Sequence, residues 1–147
     1  MQLLYEKAAW VYKIGETVYA GPYVTTANGV RVEGGPIQSF SCGDYGAAEK
    51  SLRTALDNFR TDNGDDLVRK LQQEAPILKA SGLKSYRAIS RVSKFVEIVE
   101  FKDRIEISPS ETNAPHGGYT QLLDQTMTVG KHENLAEALF RALKIST

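Results

Sequence analysis

Three side chains of this sequence could take part directly in covalent or proton-transfer chemistry: Cys42, His116 and His132. A cysteine nucleophile needs a thiolate, which a nearby base or the N-terminus of a helix stabilises. Cys42 lies two residues before Asp44, a residue type that caps helices, so a helix is expected to begin close to the thiol. No sequence signature of a cysteine enzyme surrounds Cys42, and a half-buried structural cysteine is the ordinary interpretation. A small cysteine-dependent enzyme using Cys42, with His116 or His132 as its base, is therefore kept as the alternative hypothesis.

Sequence signatures of other enzyme classes are missing or incomplete. The segment His116-Gly117-Gly118 is similar to the one that supplies oxyanion donors in lipase-like hydrolases, but the chain has no G-x-S-x-G nucleophile motif. It has neither of the glycine-rich patterns that bind phosphates, G-x-x-x-x-G-K-[ST] and G-x-G-x-x-G. Two histidines without H-x-x-x-H spacing and a single cysteine do not make a zinc site. We therefore expect no catalytic residue, no metal and no cofactor.

Charged residues are unevenly distributed in the second half of the chain. Residues 84–94 carry four basic side chains and no acidic one, whereas residues 97–111 carry five acidic side chains against two basic ones. The basic run could contact a phosphate backbone, and the acidic run suits a basic protein partner, because complementary charge raises association rate and selectivity. The simpler interpretation of both runs is a solvated surface, with the pairs Glu97 with Glu100 and Glu106 with Glu111 on solvated strand faces. The pair Asp65-Asp66 is explained by a helix that begins there.

The overall composition is that of an ordinary globular chain. It has 147 residues, 41% of them hydrophobic, and 18 basic and 18 acidic residues give a formal net charge of zero. Zero net charge excludes a chain-wide electrostatic footprint for nucleic acid or anionic membranes. One cysteine excludes an internal disulfide. Neither a secretory signal nor an apolar stretch of membrane-spanning length is present, so we expect a cytoplasmic protein.

The first 43 residues have the pattern of short strands separated by turns. Residues 10–14 and 17–20 are rich in β-branched and aromatic side chains, and Gly15-Glu16 is a plausible tight turn between them. Gly21-Pro22 is expected to end the second strand. Residues 23–26 and 37–41 are then expected to form a third and a fourth strand.

Helical periodicity begins after Asp44, the predicted N-cap. The apolar residues that share one face of this helix are Ala48, Leu52, Ala55, Leu56 and Phe59. Asn63-Gly64 is expected to end the segment. A second helix is expected from Asp65-Asp66 to Gly82, kinked or divided at Pro76, because proline cannot donate the backbone hydrogen bond.

The last part of the sequence returns to strands before a closing helix. Residues 95–101 and 104–107 flank Lys102-Asp103 and predict an antiparallel hairpin, with Ile105 and Ile107 on one face and Glu106 on the other. Residues 109–118 have the composition of a loop, residues 125–129 that of a strand, and residues 133–144 carry the apolar stripe of an amphipathic helix. The sequence therefore predicts an α+β fold, a single domain with an antiparallel sheet from N- and C-terminal strands and two to three packed helices. Whether the strands form one sheet or two small ones stays open.

The order of features from Leu83 to the end matches a known pattern. Its parts are Ser85-Tyr86, a strand at residues 94–98, Ile105-Glu-Ile-Ser-Pro109, Gly117-Gly118-Tyr119, a strand at residues 125–129 and a closing helix that starts Glu133-Asn-Leu-Ala-Glu-Ala-Leu139. This order resembles the C-terminal half of immunity proteins from bacterial contact-dependent growth inhibition systems. The family usually has a tryptophan-like aromatic after the serine, where this chain has Tyr86. The resemblance does not cover the first 82 residues.

The resemblance implies a cytoplasmic domain, residues 1–147, that binds a toxin domain delivered by a neighbouring cell. Such toxins are commonly nucleases, and neutralisation is stoichiometric, with the immunity protein covering the toxin's active site and catalysing nothing. It implies no membrane partner and no direct nucleic-acid binding. Because nuclease active sites tend to be basic, the expected contacts are acidic side chains with one aromatic anchor. These candidate toxin-binding residues are Asp62, Asp65, Asp66, Glu97, Glu100, Glu106 and Tyr119.

Overall fold

A computed structural model describes residues 5–26, 29–62, 66–113 and 118–147, apart from the side chains of Leu67 and Val68. Its strands are β1 (Tyr5–Ile14), β2 (Thr17–Thr26), β3 (Arg31–Glu33), β4 (Gln38–Ser41), β5 (Arg60–Asp62), β6 (Ser93–Phe101), β7 (Ile105–Thr112), β8 (Tyr119–Gln121) and β9 (Met127–Val129). Its helices are α1 (Tyr45–Asp57), α2 (Asp66–Glu74), α3 (Pro76–Ser81), α4 (Tyr86–Val92) and α5 (Ala136–Ile145), with a short 3-10 turn at Leu123–Gln125. None of the described helices is long and apolar enough to span a membrane.

The described strands form one curled sheet rather than two separate ones. Its main path runs β3-β2-β1-β6-β7-β8, while β4 and β5 also pair with β2 and β9 also pairs with β7. All pairings are antiparallel except that of β2 with β5. The predicted α+β class, an antiparallel sheet built from N- and C-terminal strands with packed helices, is confirmed.

The two faces of the sheet are covered differently. On the first, which we call the helical face, α1 and α5 pack through residues such as Leu52 and Leu139 onto Val11 and Ile98 of the central strands. On the opposite, aromatic face, the rings of Trp10, Tyr12 and Phe95 pack with Ile77 of α3 and Ile89 of α4. Fully burying one such apolar side chain stabilises the fold by about 1.5–3 kcal/mol, so both faces contribute to the core.

Local signals place several elements as predicted. Gly15 turns the chain between β1 and β2 with a φ of +62°. The Asp44 carboxylate accepts a hydrogen bond of 3.1 Å from the Ala47 amide at the start of α1. Pro76 divides the second predicted helix into α2 and α3, and Ala75 between them has a φ of +44°. Asn63, Gly64 and Asp65 of that segment lie outside the described residues.

Two prolines lie inside strands, which corrects two predicted boundaries. Gly21-Pro22 does not end the second strand, because β2 continues to Thr26, and β7 continues through Pro109 to Thr112. Each proline falls where its strand changes partner: Pro22 between the pairings of β2 with β4 and β3, Pro109 between those of β7 with β9 and β8. At such a gap no neighbouring strand needs the backbone N–H that proline lacks.

Other boundaries also differ from the prediction. The first helix ends at Asp57, before Asn63, so Phe59 lies beyond it, and the short strands β3 and β5 were not predicted. The closing helix begins at Ala136 rather than residue 133, and β9 covers only Met127–Val129 of the predicted strand. Three-residue strands carry too little alternation for a sequence pattern to detect.

Candidate functional site

A cleft with acidic walls opens on the aromatic face beside β6 and β7. Glu97, Val99 and Phe101 alternate along β6 onto this face, and Glu106 and Ser108 of β7 lie next to them. The cleft encloses about 330 Å³. Its remaining walls are Tyr5, Arg31, Gln121 and Leu123. We call it the acidic cleft.

Glu97 forms the floor of the acidic cleft and is 7% exposed. Arg31 donates to its Oε1 atom and Gln121 donates to its Oε2 atom, so both carboxylate oxygens have a partner. The Arg31 guanidinium also lies over the Tyr23 ring, 4.2 Å from its centroid. A buried carboxylate is tolerated only with such compensation. The expectation of a solvated Glu97 on an exposed strand face was therefore wrong.

Glu33 adds a second buried carboxyl next to the cleft. The Tyr12 hydroxyl donates a hydrogen bond of 2.5 Å to Glu33 Oε2, whereas Glu33 Oε1 is buried without a partner among the described residues. Burial raises the pKa of the Glu33 carboxyl to about 7; the Tyr12 hydrogen bond opposes this rise and the negative charge of Glu97 adds to it. Burial also raises the pKa of Tyr12, so its hydroxyl stays a donor at neutral pH.

The rim of the acidic cleft combines one carboxylate with an exposed apolar side chain. Arg104 Nε lies 2.8 Å from Glu106 Oε2, and its guanidinium lies 4.3 Å from the centroid of the Phe101 ring. Leu123 is 68% exposed, the largest exposed fraction among the large hydrophobic side chains of the described residues. The lining residues include two carboxylates, Glu97 and Glu106, and one cation, Arg31, so the lining itself carries a formal charge of −1, and Arg104 outside the lining pairs with Glu106. An acidic, partly apolar concavity suits a basic side chain with an apolar stem.

Two of the predicted binding residues lie away from the acidic cleft in the body of the fold. Glu100 points to the helical face, is 8% exposed, and lies 3.9 Å from Lys131 Nζ, so it too is not the solvated residue expected. Tyr119 stacks on Phe95 with ring centroids 5.0 Å apart, and its hydroxyl is hydrogen-bonded to Ser93. Of the seven predicted toxin-binding residues, Glu97 and Glu106 line the acidic cleft.

The predicted aspartates lie at the edge formed by β5 and α2. Asp62 pairs in register with Thr26 at the end of β5. Asp66 begins α2 with a side chain 93% exposed, 3.9 Å from Arg69. Neither lines the acidic cleft, and Asp65 lies outside the described residues. Asp66 begins a helix, as the sequence indicated, and lies with Asp62 on a part of the surface separate from the acidic cleft.

The structure does not support the cysteine-enzyme alternative. Cys42 lies half-buried beside the last turn of α5, lining a cavity with Leu143 and Lys144. His132 precedes the other end of α5, and a ten-residue helix is about 15 Å long, so His132 is out of reach as a base. His116 lies outside the described residues. Within the described ranges no group of three His, Cys, Asp or Glu side chains is placed to hold a metal ion.

The basic run at residues 84–94 is divided between the two faces of the fold. Arg87 and Arg91 belong to α4, which packs on the aromatic face. Lys94 lies on β6 in register with Lys13 and lines a cavity beside α5 on the helical face. The run therefore does not form one continuous basic surface.

Sequence reasoning missed the two partners that make Glu97 a buried site residue, Arg31 and Gln121, and the second buried carboxyl, Glu33. Arg31 and Glu33 lie on β3, and Gln121 lies on β8, both strands of three residues. The alternation of Val30, Arg31, Val32 and Glu33 was the available signal, because it places both charged residues on one face of a strand.

The chain matches no protein-family model and no curated protein. It is similar in fold to a protein of unknown function from Neisseria meningitidis, with a TM-score of 0.73 and 16% identity over 99% of this chain and 95% of the other. It is also similar in fold to a chain of the CdiA-CT/CdiI toxin and immunity complex from Yersinia pseudotuberculosis, with a TM-score of 0.67 and 17% identity over 96% of this chain and 98% of the other.

Proposed function

We propose that this chain is an immunity protein that binds and neutralises a toxin of a contact-dependent growth inhibition system. The observation that carries the proposal is the fold similarity, along almost the whole of both chains, to a chain of a toxin and immunity complex. The resemblance of residues 83–147 to immunity proteins supports the proposal independently, because this resemblance rests on the order of sequence features and not on the fold. The protein then acts in the cytoplasm, where a delivered toxin meets its substrate.

The acidic cleft is the surface we propose for the toxin contact. It offers a concave wall with Glu106 at its rim, a buried carboxylate at its floor and the exposed Leu123 beside it. An apolar anchor surrounded by charge is the arrangement that concentrates binding energy in protein interfaces. The partner group that fits is an arginine or lysine of the toxin, whose stem packs on Leu123 and whose charge meets Glu106.

Neutralisation in this account requires tight binding and no catalysis. One free nuclease molecule turns over many substrates, so the toxin and the immunity protein must stay associated even at low concentration. A nanomolar dissociation constant corresponds to about −12.3 kcal/mol, and an interface of about 1,600 Å² with good anchors supplies it. We propose a nuclease toxin whose basic active site is covered by this chain, with the acidic cleft at the contact.

Co-expression tests the proposal. The reading frame directly upstream of this chain, where we expect the toxin to be encoded, is expressed alone and together with a tagged copy of the chain. We expect growth arrest by the upstream product alone, rescue by co-expression, and co-purification at a one-to-one ratio. An upstream product that is harmless, or that kills despite the chain and does not bind it, would contradict the proposal.

The cysteine-enzyme alternative predicts a different result in the same strains. A Cys42→Ser variant keeps the fold and removes the nucleophile. An immunity protein with a structural cysteine rescues growth equally well with either residue, whereas an enzyme that uses Cys42 loses its function with this substitution.

A further inference from the structure

A second cavity, of about 310 Å³, lies at one end of the helical face, away from the acidic cleft. It opens between the N-terminal end of α1 and the last turn of α5. Three lysines from three different elements line it: Lys13 of β1, Lys94 of β6 and Lys144 of α5. We call it the lysine pocket.

Two of the three lysines are held opposite each other by the sheet. Lys13 and Lys94 are direct cross-strand partners in the register of β1 with β6. Like charges directly opposite each other on neighbouring strands destabilise a sheet. Within the described residues no ion pair joins Lys13, Lys94 or Lys144 to a carboxylate, whereas Lys7 and Lys131 do have such partners.

The remaining charges around the lysine pocket leave it positive. Glu16 is the one carboxylate among its described lining residues, so three lysines and one glutamate give a formal charge of +2. Asp44, close by, accepts the hydrogen bond of the Ala47 amide as the cap of α1. The N-terminal end of α1 adds partial positive charge at the rim, and the C-terminal end of α5 adds partial negative charge beside Lys144.

The pocket also offers an aromatic wall. The Tyr45 ring stacks on Phe140 with centroids 5.0 Å apart, and Tyr45 is 49% exposed. The volume is at the lower end of the roughly 300–1,000 Å³ found for small-molecule sites. It exceeds what a free inorganic anion needs, which leaves room for an organic group against Tyr45.

We propose that the lysine pocket binds the phosphate group of a small phosphate monoester, with a flat organic group of the ligand against Tyr45. Lys13 and Lys94 bracket the phosphate, and Lys144 closes over it from α5. A bound dianion turns the cross-strand repulsion into attraction, because each ammonium group then faces a negative charge. The site lies on the opposite face from the acidic cleft and does not depend on toxin binding.

Titration of the isotope-labelled chain, followed by NMR of its backbone amides, tests the proposal. The probes are adenosine monophosphate, inorganic phosphate and adenosine. We expect saturable shifts of the Gly43 and Tyr45 amides with both phosphates, with the monoester binding more tightly, and at least tenfold weaker binding of adenosine. Equal binding of adenosine and its monophosphate, or no saturable shift with any probe, would overturn the proposal.

Two double variants with the same change in net charge distinguish binding in the lysine pocket from a general effect of the protein's charge. Lys13→Gln combined with Lys94→Gln should weaken binding of the monophosphate at least tenfold. Lys84→Gln combined with Lys102→Gln, both exposed and outside the pocket, makes the same change in net charge and should alter the affinity less than twofold. Equal losses in the two double variants would contradict a built site. The first double variant removes two like charges that lie opposite each other, so we expect its thermal unfolding midpoint to rise at low salt. A loss of binding in this variant is then not explained by unfolding.

Cys42 supplies a second readout, because it lines the lysine pocket and is the only cysteine of the chain. Local positive charge accelerates alkylation by the iodoacetate anion relative to neutral iodoacetamide. The ratio of the two rates should exceed that of a free cysteine and should fall toward it in the Lys13→Gln and Lys94→Gln double variant. The monophosphate should slow both reactions and should lower the ratio, because its negative charge offsets that of the lysines. A ratio equal to that of free cysteine, unchanged by the monophosphate, would contradict an anion site.

Discussion

The Tyr12 hydroxyl donates to Glu33 Oε2 at 2.5 Å, while Glu33 Oε1 stays buried without a partner among the described residues. The pair links β1 to the short strand β3 across the aromatic face. Arg31, two residues before Glu33, reaches Glu97 on β6. These two contacts connect β3 to β1 and β6, and the Arg31–Glu97 contact forms one side of the acidic cleft. Polar groups buried inside the fold therefore help to position the acidic cleft.

Glu33 should make the stability of the protein fall as pH rises. Its folded pKa of about 7 lies above the ordinary value of 4.5, so between these values the folded state binds the proton more tightly than the unfolded state. The stabilisation is fully present below about pH 4.5 and is lost as pH rises through 7. Glu33→Gln, which stays neutral, should be more stable than the wild type at pH 8 by about 1–3 kcal/mol and nearly equal at pH 4.5.

Urea unfolding at a series of pH values measures this difference. Glu106→Gln is the matched control, because it removes a carboxylate from the rim of the same cleft and should leave the pH dependence of the wild type in place. Parallel pH profiles for the wild type and Glu33→Gln would show that Glu33 does not titrate in this range.

Removing only Arg31 from the Arg31–Glu97 pair should lower the free energy of unfolding substantially. Arg31→Met leaves the Glu97 carboxylate buried without its cation, and removal of one partner of a buried pair destabilises by about 3–5 kcal/mol. The double variant Arg31→Met with Glu97→Gln should recover part of that loss, because it removes the uncompensated charge. A double-mutant cycle of unfolding free energies measures the coupling. Strictly additive losses would contradict a direct interaction.

Gly21 should not tolerate a side chain, although it lies in a strand and not in a turn. A Cβ atom there would lie 2.4 Å from Trp10 Cζ2 and 2.9 Å from the Gly34 carbonyl oxygen. Gly21→Ala should therefore destabilise the protein by about 1–3 kcal/mol through overpacking. Gly46→Ala, in the first turn of α1 where a Cβ meets no close contact, should instead stabilise by about 0.5–1 kcal/mol. Thermal or urea unfolding distinguishes the two signs.

The elements that the sequence predicted well have strong local signals. Strand alternation placed Ile105 and Ile107 on one face, and the cap of α1 was readable from Asp44. Pro22 and Pro109 were misleading, since proline usually ends a strand and here marks a change of partner, which depends on pairings far along the chain. The site could not be predicted from local patterns, because Arg31 and Glu97 are 66 residues apart in the sequence. No local signal therefore identifies Glu97 as buried.

The acidic cleft should carry the charge dependence of toxin binding. Glu106→Lys removes the rim carboxylate and places a second cation beside Arg104, so it should slow association and raise the dissociation constant about tenfold or more, with an effect that shrinks at high salt. Asp66→Lys makes the same change of charge on the α2 surface, away from the cleft, and should alter association less than threefold. Surface-immobilised toxin domain and stopped-flow association rates measure both. Equal effects of the two variants would place the contact elsewhere.

The most direct measurement is a titration of the purified toxin domain with this chain, following the nuclease activity on tRNA or DNA that we propose for the toxin. We expect a linear loss of activity that reaches zero at one chain per toxin, with a nanomolar or tighter dissociation constant, and weaker inhibition by the Leu123→Asp variant. Undiminished activity at a large excess of the folded chain would contradict the claim that it is an immunity protein.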